Sequence, residues 1–159
     1  MNDADRALLG ELRRLLLQLH KTLIDWQRAD YEQTHGRLQT TQLMNVIFND
    51  PSFAWLRSMS GLIVRIDETL EAKDPEQVSP PTRPEAATAR PRRSSLTDSR
   101  AEAGESGPLV AQARELIAPE AGSAYAQRYH AALQEAPDAV FAHSDLVTLL
   151  KLQRQSSTA

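Results

Sequence analysis

Hydrophobic residues near the start of the chain recur at the three- and four-residue steps that place side chains on one face of an α-helix. The stripe consists of Leu8, Leu12, Leu15, Leu19, Thr22, Trp26 and Ala29, and it is widened by Leu9, Leu16 and Leu23. A stripe of this breadth is typical of a helix that packs against two neighbours. The pattern predicts one long helix from about Asp5 to His35, ended by Gly36 in a left-handed conformation.

Two shorter helices are predicted before residue 73. Thr40 is the expected N-cap of the second helix, whose apolar face holds Leu43, Val46 and Ile47. Asp50 and Pro51 are expected to end it and to start the third helix, because Asp caps well and Pro fits the first helical position. The third helix carries its apolar stripe at Leu56, Met59, Ile63, Ile66 and Leu70. It is expected to end near Ala72.

The chain after residue 107 follows the same helical pattern. Pro108 is expected to open a fourth helix, a fifth is predicted over about residues 123–136, and Pro137 opens a sixth. The expected inward positions of the sixth helix are Val140, Phe141, Leu146 or Val147, and Leu150. The tail, residues 153–159, is expected to fray.

The intervening stretch, residues 74–107, is rich in Pro, Arg and Ser, and apart from alanines its only aliphatic residues are Val78 and Leu96. Such a segment cannot bury enough apolar surface to offset the entropy of ordering it, so a disordered linker is predicted. Residues 1–73 and 108–159 are then expected to pack as one domain. The predicted fold is all-α, an antiparallel bundle of five to six helices interrupted by this linker.

Composition and charge narrow the function classes. The 159 residues include 18 Lys and Arg against 21 Asp and Glu, a net charge of −3, and no cysteine. The lack of cysteine excludes disulfides, thiolate metal sites and cysteine nucleophiles, and the charge balance argues against a general nucleic-acid binder. No apolar run reaches the ~20 residues of a membrane span. With an acidic start where a signal peptide would be basic, the sequence predicts a cytoplasmic protein.

Candidate catalytic chemistry is sparse. His20 and His35 lie ~22 Å apart along the first helix and cannot share a metal. Glu32 and His35 match the Glu-x-x-His spacing of di-metal bundles, but the chain has no second copy of that motif. No serine lies in a Gly-x-Ser-x-Gly turn, and no phosphate-binding glycine loop is present. The sequence therefore indicates no catalytic residue, no metal and no cofactor.

Aromatic and charged residues concentrate near the turn into the third helix and near the end of the first. If these two helices are antiparallel, the aromatic rings meet at one end of the bundle, either as a hydrophobic plug or as a pocket for a small anionic or aromatic ligand. Within such a pocket His20 is expected to pair with an acid such as Asp67; otherwise its ring bonds a carbonyl. The candidate pocket residues are His20, Trp26, Tyr31, His35, Phe53, Trp55, Arg57, Arg65 and Asp67.

Several short elements of the sequence resemble a group of small bacterial all-helical proteins. The elements are His20-Lys21, Asp25, Tyr31-Glu32, His35-Gly36, Asp50-Pro51, Phe53-Ala-Trp-Leu-Arg57 and Ile66-Asp-Glu68. The resemblance covers residues 8–72 best and residues 108–150 loosely. Because that group has no assigned activity, the resemblance implies no reaction and no catalytic role.

The function expected first is protein binding, through the bundle surface or as a homodimer, and the sequence leans away from an enzyme. The alternative is a small-molecule pocket or enzyme site at the aromatic end. DNA binding is a third hypothesis, because the second and third helices are joined by a short turn as in a helix-turn-helix. Against it, the phosphate contribution to affinity would be small for so balanced a charge.

Overall fold

The computed structural model describes residues 2–72 and 106–156. Six α-helices occupy these residues: α1 Asp3–His35, α2 Thr40–Asn49, α3 Arg57–Glu71, α4 Ser106–Ile117, α5 Ala124–Glu135 and α6 Pro137–Ser156. A 3₁₀ helix, Pro51–Leu56, joins α2 to α3. There is no strand in these two stretches, so the all-α prediction is confirmed.

Helix α1 is the centre of the bundle. It contacts α3, α4, α5, α6 and the 3₁₀ helix, and its leucine stripe supplies much of the core. The fully buried leucines of α1 are Leu9, Leu12, Leu16, Leu19 and Leu23. Burying one such side chain contributes about 1.5–3 kcal/mol to stability, so this stripe holds the other helices together.

Helices α3 and α6 run antiparallel to α1. Along α1 the partners on the following elements step backwards: Arg13 pairs with Asp67, and His20 lies against Ser60. Helix α6 behaves in the same way, since Trp26 reaches Glu135 just before α6. The segment after residue 105 thus packs on the same bundle as the first three helices.

Several predicted boundaries need correction. Gln39, not Thr40, is the N-cap of α2, and its backbone N–H donates to the Gln42 side chain at 3.0 Å. Asp50 caps the 3₁₀ helix by accepting from the Ser52 N–H at 2.8 Å, so α3 begins only at Arg57. Gly36 ends α1 at φ +83°, as expected for a helix stop, but its ψ of 172° lies outside the left-handed helical region.

The predicted inward face of α6 is wrong at two positions. Val140 and Phe141 are exposed, whereas Ala139 and Ala142 are fully buried with Leu146. Both the predicted and the observed faces have helical spacing. The observed choice puts alanines where α6 meets its neighbours, because small side chains let helix backbones approach closely, and it leaves the larger Phe141 in solvent.

The predicted linker lies outside the described residues except for Ser106 and Gly107, which belong to α4. Helix α6 continues to Ser156, and residues 157–159 of the predicted tail lie outside the described residues. Among the described helices, none combines the length and apolar character needed to cross a membrane.

Candidate functional site

A cavity of about 270 Å³ lies where α1, α2, the 3₁₀ helix and α3 meet. The antiparallel register of α1 and α3 brings His20 opposite Ser60, and α2 covers the space beside them. The walls of this cavity are mostly apolar. The lining residues are His20, Ile24, Ile47, Phe48, Phe53, Leu56, Arg57 and Ser60.

The polar end of this cavity is a hydrogen-bonded pair. The His20 Nε2 and Ser60 Oγ atoms are 2.7 Å apart. Burial lowers the pKa of His20, so the ring is neutral at neutral pH and keeps one N–H donor and one acceptor nitrogen. A neutral imidazole beside a hydroxyl suits hydrogen bonding to a ligand head group.

The same pair lacks the other parts of a serine hydrolase. The Ser60 hydroxyl also lies 3.2 Å from the Leu56 carbonyl, which competes with His20 for its single proton. Ser60 sits inside α3, where backbone N–H groups bond within the helix and are not free to hold an oxyanion. In the described parts of the chain no carboxylate bonds the other ring nitrogen of His20. The geometry therefore favours binding over acyl transfer.

Arg57 stands at the edge of the cavity. One guanidinium nitrogen donates to the Phe48 carbonyl at 2.9 Å, which ties the end of α2 to the start of α3. The guanidinium has five N–H donors, so this bond leaves others for an anionic group. His20, Phe53 and Arg57 are thus the three predicted pocket residues that the structure brings to one cavity.

The aromatic residues Trp26 and Trp55 belong to a different cluster that closes the bundle. Their rings meet edge to face with centroids 6.3 Å apart, and Trp55 meets Tyr125 at 5.6 Å. Tyr125 stacks on Tyr129, also at 5.6 Å. Burial raises the pKa of both tyrosines, so their hydroxyls remain protonated donors. These rings form a packed plug rather than the wall of a pocket.

A buried amide organises this plug. Gln27 is 1% exposed, and its Oε1 accepts from Trp55 Nε1 and from the Arg128 guanidinium, each at 2.9 Å. Its Nε2 donates to Asp30 at 3.3 Å. The amide therefore joins α1, the 3₁₀ helix and α5 through one side chain.

Tyr31 and His35 form a third group at the end of α1. Their rings stack with centroids 4.1 Å apart, and Tyr31 also contacts Phe53 at 6.1 Å. His35 is exposed, and its Nδ1 lies 3.2 Å from the Tyr31 carbonyl. This group borders the cavity only through Phe53.

The two remaining predicted pocket residues, Arg65 and Asp67, also lie outside the cavity. Asp67 forms an ion pair with Arg13 and does not meet His20, because the register places it almost two helical turns past Ser60. Arg65 is exposed on α3 and does not line the cavity. The predicted pairing of His20 with Asp67 is therefore wrong.

Helix α2 presents an unusual surface beside the cavity. It has no fully buried residue and no charged residue along its length. Met44 is 50% exposed and Phe48 65%. Surface helices in globular proteins normally carry charged residues on their outer face, so an uncharged outer face with two large exposed apolar side chains is unusual. We call Met44, Asn45 and Phe48 the α2 face.

Sequence reasoning missed Ser60, Gln27 and the α2 face. Ser60 was missed because its place opposite His20 depends on the register of α3 against α1, which the two repeating apolar stripes do not fix. The sequence feature that indicates the α2 face is a run of ten residues without a charged side chain, Thr40–Asn49. Nothing in the sequence pattern singles out Gln27, since one amide among leucines is indistinguishable from a surface position.

The described residues contain no group of three or more His, Asp or Glu side chains that could hold a metal ion. No protein-family model matches the chain, and no curated protein or solved structure is significantly similar to it.

Proposed function

We propose that the protein is a cytoplasmic binding protein that self-associates through the α2 face. The observation that carries this proposal is the uncharged outer side of α2, with Met44 and Phe48 exposed on it, in a chain with 25% charged residues. Most leucines of α1 lie in the core, whereas Met44 and Phe48 of α2 remain in water. Burying them against a partner removes that exposed area.

A second copy of the chain is the occupant that the charges favour. Each copy carries a net charge of −3, so two copies repel each other unless they meet where charge is absent. An isologous contact brings the same patch of both copies together, and α2 carries no charged residue along its length, the Arg57 guanidinium being hydrogen-bonded to the Phe48 carbonyl at its C-terminal end. The exposed pair Val140 and Phe141 lies in no such uncharged stretch, because Asp138 and Asp145 flank it.

The expected association is weak. A helix of ten residues is about 15 Å long, so the α2 face alone offers less than the roughly 800 Å² per partner of a standard interface. We expect a dissociation constant on the order of 10 μM. A dimer of this strength is populated only where the local concentration is high.

Light scattering over a concentration series tests this proposal. Replacing Phe48→Asp puts a like charge on both sides of the contact and is expected to weaken the dimer at least about tenfold. Phe141→Asp is the matched control, since Phe141 is 68% exposed against 65% for Phe48. Met44→Glu is a second variant that leaves the cavity lining unchanged. A monomer at all concentrations, or equal weakening by Phe141→Asp, contradicts the proposal.

The His20 cavity supports a second candidate function, binding of a small molecule with an apolar body and a hydrogen-bonding or anionic head. Its volume is just below the roughly 300–1,000 Å³ of typical ligand sites, so only a compact ligand fits.

Benzoate is a suitable probe, with benzamide as its neutral counterpart. Titration with benzoate should shift the NMR signals of the His20 ring. Arg57→Gln should weaken the binding of benzoate, whereas Arg65→Gln should leave it unchanged. Equal affinity in both variants excludes an anion site here.

A further inference from the structure

A second, larger cavity lies between α4 and α6, on helices that contribute nothing to the α2 face. Its volume is about 380 Å³, and its lining residues are Arg114, Ile117, Ala118, His143, Val147, Leu150, Lys151 and Arg154. Two properties set it apart from the His20 cavity. It reaches the usual size of small-molecule sites, and it carries several cations without a lining acid.

The floor of this groove is aliphatic. Ile117 and Leu150 are buried and Val147 is half-buried, so they form a continuous apolar strip between the two helices. The strip is suited to an extended alkyl chain, which needs contact area rather than hydrogen bonds.

Among the residues that the structure describes, half-buried Arg114 has no carboxylate partner. Its Nη2 donates to the Leu150 carbonyl at 3.2 Å and to Gln153 Oε1 at 2.7 Å, and both acceptors are neutral. Lys151 likewise takes part in no ion pair in the part of the chain that the structure describes. Arg114 and Lys151 thus bring positive charge to a groove that Arg154 also lines, and among the described residues no acid belongs to the lining, in a chain that is acidic as a whole.

His143 forms the inner wall and adds no charge at neutral pH. Its Nδ1 lies 2.9 Å from the Tyr129 hydroxyl, and burial lowers its pKa, with the neighbouring His130 contributing in the same direction. The positive charge of the groove therefore lies at its rim, over an apolar floor.

From this arrangement we propose that the α4–α6 groove binds a single-chain alkyl carboxylate, with its chain along Ile117, Val147 and Leu150 and its carboxylate between Arg114 and Lys151. A guanidinium that is already fixed by two hydrogen bonds loses little side-chain entropy when it binds a carboxylate. A compact inorganic anion would leave the apolar floor in water, and an alkyl alcohol would leave the cations unpaired. The alkyl carboxylate satisfies both features.

Calorimetric titration of the full chain with octanoate tests this site, and amide NMR shifts locate it. Octanoate should bind at one saturable site and shift the signals of Val147 and Leu150. Acetate and octanol should each bind at least about tenfold more weakly, because each lacks one of the two features. Lys151→Gln should weaken octanoate at least about threefold, with exposed Arg65→Gln as the matched control. Arg114→Gln tests the contribution of the second cation to octanoate binding. A thermal melting curve shows whether this variant stays folded.

Equal binding of octanol and octanoate overturns the proposal, because only the apolar floor is then in use. Unsaturable binding at several sites also overturns it, as does a loss of affinity in Arg65→Gln equal to that in Lys151→Gln. Phe48→Asp should leave octanoate binding unchanged, so this proposal and self-association fail independently.

Discussion

Helices α1 and α2 are both rich in apolar residues, yet they differ in where those residues lie. Six leucines of α1 are buried on contact with five other elements, Leu17 is exposed, and charged residues cover much of the outer side. In α2 no residue is fully buried, and the outer side carries no charge. Apolar residues at helical spacing therefore predict a helix, but they do not predict what its apolar side packs against. An apolar face that the fold leaves in water is evidence for a contact outside the fold.

The largest expected difference between the two helices is in stability. Leu16→Ala in α1 removes a fully buried side chain and should lower the free energy of unfolding by about 2–5 kcal/mol. Phe48→Ala in α2 should change it by less than about 0.5 kcal/mol, as for other surface positions. Urea unfolding of dilute samples, where the chain is monomeric, measures both. Similar losses in the two variants would mean that α2 belongs to the core.

Gln27 tests whether the polar side of α1 is also part of the fold. Gln27→Leu leaves the Trp55 indole N–H without its acceptor, which should lower the free energy of unfolding by about 1–3 kcal/mol. Gln18→Leu on the exposed side of α1 is the control and should change it little. Urea unfolding again supplies the measurement. Equal effects would show that the Gln27 network adds nothing to stability.

The two buried histidines predict a dependence of stability on pH. Burial lowers the pKa of His20 and of His143, so between those pKa values and about 6.5 the unfolded chain binds more protons. Stability should therefore fall as the pH drops below about 6.5. The pKa values of the Glu32 and Asp50 carboxylates are also lowered, but these groups change the stability only below about pH 4.5.

Thermal unfolding at several pH values measures this dependence. His20→Gln should make the curve less steep below about pH 6.5, because the neutral side chain binds no proton in either state. If the His20→Gln curve falls as steeply as that of the unmodified chain, burial of His20 does not control its protonation.

The smallest expected effect is that of the ion pair between Arg13 and Asp67. Both side chains are more than a third exposed, so Asp67→Asn should cost only about 0.2–1 kcal/mol. The loss should shrink further in high salt. Urea unfolding at low and high salt checks both expectations, and a loss above that range would mean that the pair is better shielded than its exposure indicates.

Much of the fold follows from the sequence, because helical periodicity depends on local spacing. The stripe of α1 predicted its core leucines, and proline and glycine positions placed most helix ends to within two residues. The side of α6 that faces the core was harder to predict, because two adjacent sets of residues on this helix both have helical spacing. There the choice between Phe141 and Ala142 depends on how closely a distant helix approaches.

The sites were harder to predict than the fold, because each depends on register between separate helices. His20 meets Ser60 instead of Asp67 owing to a relative shift of α1 and α3 that no local pattern encodes. Arg114 and Lys151 lie far apart in sequence on two helices, each of which reads as an ordinary amphipathic surface. Only their convergence over one apolar strip makes a groove.

The most direct test of the α2 face is single-cysteine crosslinking, which the absence of native cysteine allows. Asn45→Cys places a thiol between Met44 and Phe48 without changing either, and Ser144→Cys places one on the exposed side of α6 as the control. Under mild oxidation the Asn45→Cys chain should form a covalent dimer much faster than the Ser144→Cys chain, and added Phe48→Asp should abolish the difference. Equal rates for the two single-cysteine chains would contradict the account.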